Sequence, residues 1–204
     1  MYRDSCEATN VRGDQSRDLL DLRTRCLDRR HEALRATVAA LSSADARLVA
    51  RSVALVERLP PIATCADVEA LRAVVPPPED PVKRARLAEL EKALEGARVA
   101  FAAGRLTEAV EKASRLADDA KALDYRPFIA EALFLQGDVT LQRGDHPGAE
   151  AALSEAVKAA QATGYTEIVA QAAVRLVGVT GLKRRQFDKA KVWIDVAEAS
   201  VERV

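Results

Sequence analysis

The sequence predicts an all-α protein built from successive antiparallel helix pairs. Three observations carry this. First, its 204 residues are 49% hydrophobic but only 4% aromatic, with 9 Gly and 8 Pro. Alanine and leucine dominate, and with Arg, Glu and Lys they lose little freedom in a helix. Many short strands would need more β-branched and aromatic residues. Second, apolar residues recur at helical spacings. Third, the C-terminal part repeats itself at a period of 40 residues.

Residues 15–41 read as one long helix. Leu19, Leu22, Cys26, Leu27, Leu34, Val38 and Leu41 fall on one face, with Ser16 as N-cap and a turn at Gly13. A second helix is predicted over 45–58, with Leu48, Val49, Val53, Val56 and Leu59 inward and Pro60-Pro61 ending it. A short third helix follows over 66–74. Pro76-Pro-Pro-Glu-Asp-Pro81 then separates an irregular helical part, 1–75, from a regular part, 82–204.

In the regular part, Gly104-Arg-Leu-Thr-Glu-Ala109 recurs as Gly144-Asp-His-Pro-Gly-Ala149, 40 residues on. Shifted by one more residue, the pattern returns as Arg185-Gln-Phe-Asp-Lys-Ala190. A small residue precedes each alanine: Ala97, Gly137 and Gly178. Ala122-Leu-Asp-Tyr125 matches Ala162-Thr-Gly-Tyr165, again 40 apart. Three units follow, at about 82–123, 127–163 and 166–201. The first helix of each (A) covers about 82–103, 127–143 and 166–184; the second (B) covers about 106–123, 147–163 and 187–201. The small residues are expected to let the paired helices draw close.

Along 131–149, Leu133, Gly137, Gly144, His146 and Ala149 occupy the places of a tetratricopeptide helix-turn-helix, and Leu153 and Ala156 continue it. The chain resembles that family over its three repeats. His146 and Leu106 depart from the family's aromatic place, which Phe187 keeps, and the period exceeds the usual ~34 residues. The resemblance implies a right-handed superhelix whose A helices line a concave groove. Candidate groove residues are Glu91, Leu94, Arg98 and Phe101, then Glu131, Phe134, Asp138, Leu141 and Gln142. In the third unit they are Ala172, Arg175, Val179, Leu182 and Lys183. Such a groove suits an extended peptide or a helix.

Cys6-Glu-Ala-Thr9, Gly13-Asp-Gln-Ser16, Leu20-Asp-Leu-Arg23, Cys26-Leu-Asp-Arg-Arg30 and Leu59-Pro60 through Cys65-Ala-Asp67 carry a second resemblance. They are similar to the region after the kinase domain in large bacterial serine/threonine protein kinases. This implies a non-catalytic protein-interaction or sensor module at the C-terminal end of such a kinase. A tetratricopeptide arm of a transcriptional regulator, or another signalling scaffold, is the alternative.

No chemistry is legible in the chain itself. It has no glycine-rich phosphate loop, no His-Arg-Asp and no Asp-Phe-Gly, so the chain is read as no enzyme. No cofactor or metal is implied. His31 reads as solvated, and His146 and Trp193 as packing residues. Asp118-Asp119 and Glu79-Asp80 are neighbours that point about 100° apart on a helix. Lys183-Arg184-Arg185 complements a helix end. Lys+Arg and Asp+Glu both number 31, so no basic excess points to nucleic acid. No apolar run approaches the ~20 residues that cross a bilayer. Partners are expected to be proteins or peptides, with self-association through an incompletely polar final helix as a further expectation. Cys6, Cys26 and Cys65 fit no zinc spacing; they read as buried thiols, or as a Cys26–Cys65 bridge suited to an oxidising compartment. A cytoplasmic location is the expectation, with the extracytoplasmic side of a membrane-anchored kinase as the alternative.

Overall fold

The computed structural model describes residues 1–201, the side chain of Arg47 excepted. It is all-helical: eleven α-helices and no strand among the described residues. The chain divides into two compact units, one over Met1–Ala73 and a second beginning at Val74. The boundary falls beside the proline-rich segment. Of the regular part expected over 82–204, the last three residues lie outside the described ones.

In the first unit, α1 (Tyr2–Glu7) widens into a π turn over Ala8–Arg12. Gly13, at φ 72°, ends it. The long helix is α2 (Arg17–Ser42), and Ser16 caps it by accepting a hydrogen bond from the Leu19 amide at 3.3 Å. The inward face differs from expectation over the last turns. Leu19 and Leu27 are buried, but further on Ala33 and Thr37 go inside and Leu34 and Val38 stay exposed. Each lies one residue, about 100°, past the buried position.

The helix expected over 45–58 is two pieces, α3 (Ala46–Ala50) and α4 (Ser52–Glu57), broken at Arg51. Asp45 caps α3 by accepting from the Leu48 amide at 2.8 Å. The face inside is Leu48 and Leu55, seven apart. Val49, Val53 and Val56, expected inward, stand 61%, 70% and 48% exposed. Two faces of this segment are apolar and only one is covered. The covered one carries the leucines, which bury more area. A 3₁₀ turn (Ile62–Ala66) holds Cys65, and α5 (Val68–Ala73) follows.

Cys65 is fully buried and bonded to Cys26 of α2, with the two Cα atoms 5.6 Å apart. The bridge is therefore formed, and Cys6 is a free, exposed thiol. Arg30 adds hydrogen bonds to the Pro61 carbonyl at 3.3 Å and to Thr64 Oγ1 at 3.0 Å. Helices α3, α4 and α5 are each shorter than a chain segment needs to be helical alone. Their order depends on being fastened to α2.

The second unit contains α6 (Pro81–Ala102), α7 (Leu106–Leu123), α8 (Arg126–Gln142), α9 (His146–Gln161), α10 (Thr166–Val177) and α11 (Phe187–Val201). These match the expected spans within a few residues. Asp80 caps α6 by accepting from the Val82 amide at 2.8 Å, with Pro81 in the first turn, where its missing N–H costs nothing. Asp145 caps α9 by accepting from the Gly148 amide at 3.0 Å. Each helix packs on the next in the chain, and α8 also touches α6 and α10.

The 40-residue recurrence is present in the backbone. The turn after each A helix has a left-handed residue at Gly104, Gly144 and Arg185, with φ of 76°, 89° and 57°. The turn after the first two B helices has one at Asp124 and Gly164, with φ of 56° and 69°. The first two A-helix turns close with Arg105 N–H donating to Ala100 and Asp145 N–H to Thr140, each five residues back. In the third, Gln186 N–H donates to Thr180, six residues back. The extra residue enters in a π turn over Gly178–Lys183, the usual way to insert one residue into a helix. This explains why the third spacing is 41 when measured at the turn.

Two apolar clusters fill the unit. One joins Leu87, Leu94, Leu116, Phe128 and Leu135; the other joins Leu133, Leu153, Val157, Ile168 and Leu176. Helix α8 supplies both and is buried on both sides. At Gly137 a Cβ would lie 2.5 Å from Leu153 Cγ, so this glycine admits α9. Gly178, expected to do the same, has open space around it. The close contact in the third unit is Gly181 against Ala190, at 3.2 Å, displaced along the helix by the π turn.

Gly137→Ala is therefore expected to destabilise the chain by about 1–2 kcal/mol, overpacking outweighing the gain in helix propensity. Gly178→Ala, in helical backbone with free space, is expected to stabilise it by about 0.5–1 kcal/mol. Urea unfolding of both variants checks the opposite signs. The bridge closes a separation of 39 residues, a constraint on the unfolded chain of about 4 kcal/mol. Reduction with a dithiol is expected to speed amide exchange across residues 43–73, read by mass spectrometry.

Candidate functional site

The candidate face is formed by the A helices of the second unit, α6, α8 and α10. The 40-residue register places Leu94, Phe134 and Val174 at one position, and Phe101, Leu141 and, after the inserted residue, Leu182 at another. Leu94 is fully buried, so it is core and not a contact. Phe101 leans on the first apolar cluster, and Phe134 and Leu141 on the second, each keeping part of its surface open. Val174 and Leu182 are 54% and 81% exposed.

The expected residues of α10 need correction. Ala172 and Val179 are completely buried. The 41-residue spacing holds only beyond the π turn; upstream of it the register is still 40. The outward positions there are Gln171 and Val174. Matching Tyr125 with Tyr165 alone would have located them.

The charged candidates are largely engaged with one another. Arg98 Nη1 meets Glu95 at 2.6 Å and its Nη2 meets Glu131 of α8 at 3.2 Å. The Tyr165 hydroxyl donates to the other oxygen of Glu131 at 3.2 Å. Glu131 is only 2% exposed, so it fastens helices and does not face a partner. A buried carboxylate of this kind needs such donors. Arg175 Nε meets Asp138 at 2.8 Å, tying α10 to α8. Arg98, Glu131, Asp138 and Arg175 thus join α6 to α8 and α8 to α10. Glu91 is half-buried, and Gln142 and Lys183 are exposed.

Trp193 packs against the second cluster. His146 opens α9, its Nδ1 buried without a hydrogen-bond partner. His31 is exposed. Asp119 pairs with Arg86 at 3.2 Å. In the basic run, Arg184 pairs with Glu150, which also receives Lys189, and Arg185 takes the left-handed turn position. Among the described residues, no three His, Cys, Asp or Glu side chains gather as a metal site, and no helix is long and apolar enough to cross a membrane.

No family model, curated protein or solved structure matches the chain.

Arg98→Ala leaves Glu131 buried without its arginine and is expected to cost about 2–3 kcal/mol. Arg175→Ala breaks a pair whose arginine is half-exposed and is expected to cost about 0.5 kcal/mol. Chemical denaturation of the two variants measures the difference; equal losses would show that the Glu131 pairing is no more than a surface contact.

Proposed function

We propose that the chain is a non-catalytic protein-interaction module of the tetratricopeptide type, its helix pairs continuing in a right-handed superhelix. The observation that carries this reading is the recurrence of helix pairs with left-handed turn residues at Gly104, Gly144 and Arg185. In this reading the partner is a peptide or helix laid across α6, α8 and α10. Phe101, Phe134, Leu141, Val174 and Leu182 supply its apolar footing, and Gln142 and Lys183 its polar contacts. The salt-bridged residues keep the footing in place.

In this reading the module belongs to the C-terminal regulatory region of a bacterial serine/threonine protein kinase, which the resemblance of the first unit's motifs supports. A reading frame that continues upstream of residue 1 into a glycine-rich loop and a His-Arg-Asp loop is the direct check. The Cys26–Cys65 bridge supports the extracytoplasmic alternative over the cytoplasmic one, because structural bridges persist in oxidising compartments.

Selecting peptides from a random display library on the whole chain tests the face. Selected peptides are expected to bind Val174→Asp and Leu182→Asp at least about tenfold more weakly, a loss of about 1.4 kcal/mol or more. Glu111→Ala on α7 is expected to bind them as the parent chain does. Peptides indifferent to both substitutions on the face would remove this assignment.

A further inference from the structure

The outer face of α11 repeats a position that is covered elsewhere in the unit. Ala113, Ala117 and Ala120 of α7, and Leu153, Val157 and Ala160 of α9, are all buried. Leu153 meets Gly137 of α8, whereas Gly178, in register with Gly137, has open space, so α11 is not seated as α9 is. The equivalent residues of α11 are Ile194, Glu198 and Val201. Ile194 is 41% exposed, Val201 is 64% exposed, and Glu198 is exposed too.

Phe187 and Lys191, both exposed, extend the same line. With spacings of four, three, four and three, these five residues form one stripe along the helix. Its inner side is occupied: Ala190, Trp193, Val196 and Ala197 face the unit's own core. Among the described residues nothing covers this stripe, which runs beside the buried side of the helix.

The order of residues in the stripe says what fits it. It reads apolar, basic, apolar, acidic, apolar from Phe187 to Val201, with Phe187 and Val201 each seven residues from Ile194, Lys191 three before it and Glu198 four after it. A second α11 laid antiparallel would set Ile194 against Ile194, Phe187 near Val201, and Lys191 near Glu198. A two-fold axis makes each of the last two contacts twice. Lys191 and Glu198 form no ion pair among the described residues, so both charges are available to a partner.

We propose that two copies of this chain associate through α11, packed antiparallel about a two-fold axis near Ile194, with reciprocal Lys191–Glu198 pairs. This surface is separate from the face of α6, α8 and α10, so the peptide-binding reading can fail without it, and it without that reading. One helix from each protomer makes a small interface, so the association is weak, with a dissociation constant in the range of about 10 µM to 1 mM.

Sedimentation velocity of the full chain, in a Cys6→Ser background that prevents disulfide cross-linking, tests it. A reversible monomer–dimer equilibrium is expected, and Ile194→Asp is expected to abolish it. Lys191→Glu and Glu198→Lys each place like charges together twice and are expected to weaken the dimer at least about tenfold. The double variant Lys191→Glu/Glu198→Lys is expected to recover to within about threefold of the parent, because the swap restores the pairing. Circular dichroism identical to the parent's shows that these exposed substitutions keep the fold. A monomer throughout the concentration range overturns the proposal. So does a dimer indifferent to Ile194→Asp, a ladder of higher oligomers, or a double variant no better than the single ones.

Discussion

The second unit depends on the burial of α8 from two sides. Phe128, Leu135 and Val139 go to one apolar cluster, and Ala130 and Leu133 to the other. A helix enclosed in this way is apolar nearly all round, and every polar group it carries must find a partner inside the protein. Glu131 meets that demand through Arg98 and Tyr165. Gly137 meets the steric one, since α9 brings Leu153 to where a Cβ would stand. The remaining helices are arranged around these two positions. The turn residues on either side of α8, Asp124 and Gly144, take left-handed backbone so that α7 and α9 can fold back onto it.

The helix boundaries of this unit were legible because several are marked by local chemistry and the 40-residue repeat supplies the rest. The proline-rich segment ending at Pro81, and Pro147, stand at helix starts, and Gly104 and Gly144 at turns. Packing across the third unit was not legible, for a geometric reason. A single residue rotates a helix face by about 100°, enough to exchange inside for outside. The turn at Arg185 is 41 residues past Gly144, and carrying that spacing upstream moved Ala172 and Val179 to the surface. The structure keeps 40 until the π turn at Gly178–Lys183 and absorbs the extra residue there. A repeat period read at turns dates the insertion only to somewhere between two turns. Glu131 was misread for a related reason: register shows that a residue faces the neighbouring A helix, but not that the neighbour covers it.

The first unit shows a different limit. Ser16 was readable as a cap because capping is a property of a few adjacent residues. Which apolar face goes inside is a property of what lies opposite. In 46–57 the sequence offers Leu48 and Leu55 on one side and Val49, Val53 and Val56 on another, and periodicity accepts both. Likewise, the choice between thiols and a bridge at Cys26 and Cys65 turns on whether a 3₁₀ turn carries Cys65 back to α2. That contact is made between residues distant in sequence and has no local signature.

The charges on the A helices bear on how the face proposed for binding can also be a scaffold. In an unpaired state, Arg98, Asp138 and Arg175 would be the natural anchors for a charged peptide. Here they hold α6, α8 and α10 to each other, and any partner taking hold of them would have to break an existing pair to make a new one. Such an exchange gains little free energy, because desolvation and lost pairing offset the new contact. The side chains with surface still to bury are Phe101, Phe134, Leu141, Val174 and Leu182. Burial of apolar area has no such competitor, since water is all that is displaced. In the proposed reading, recognition by this face therefore falls to its apolar residues. The ion pairs set the spacing between them, and so the shape that a partner must match.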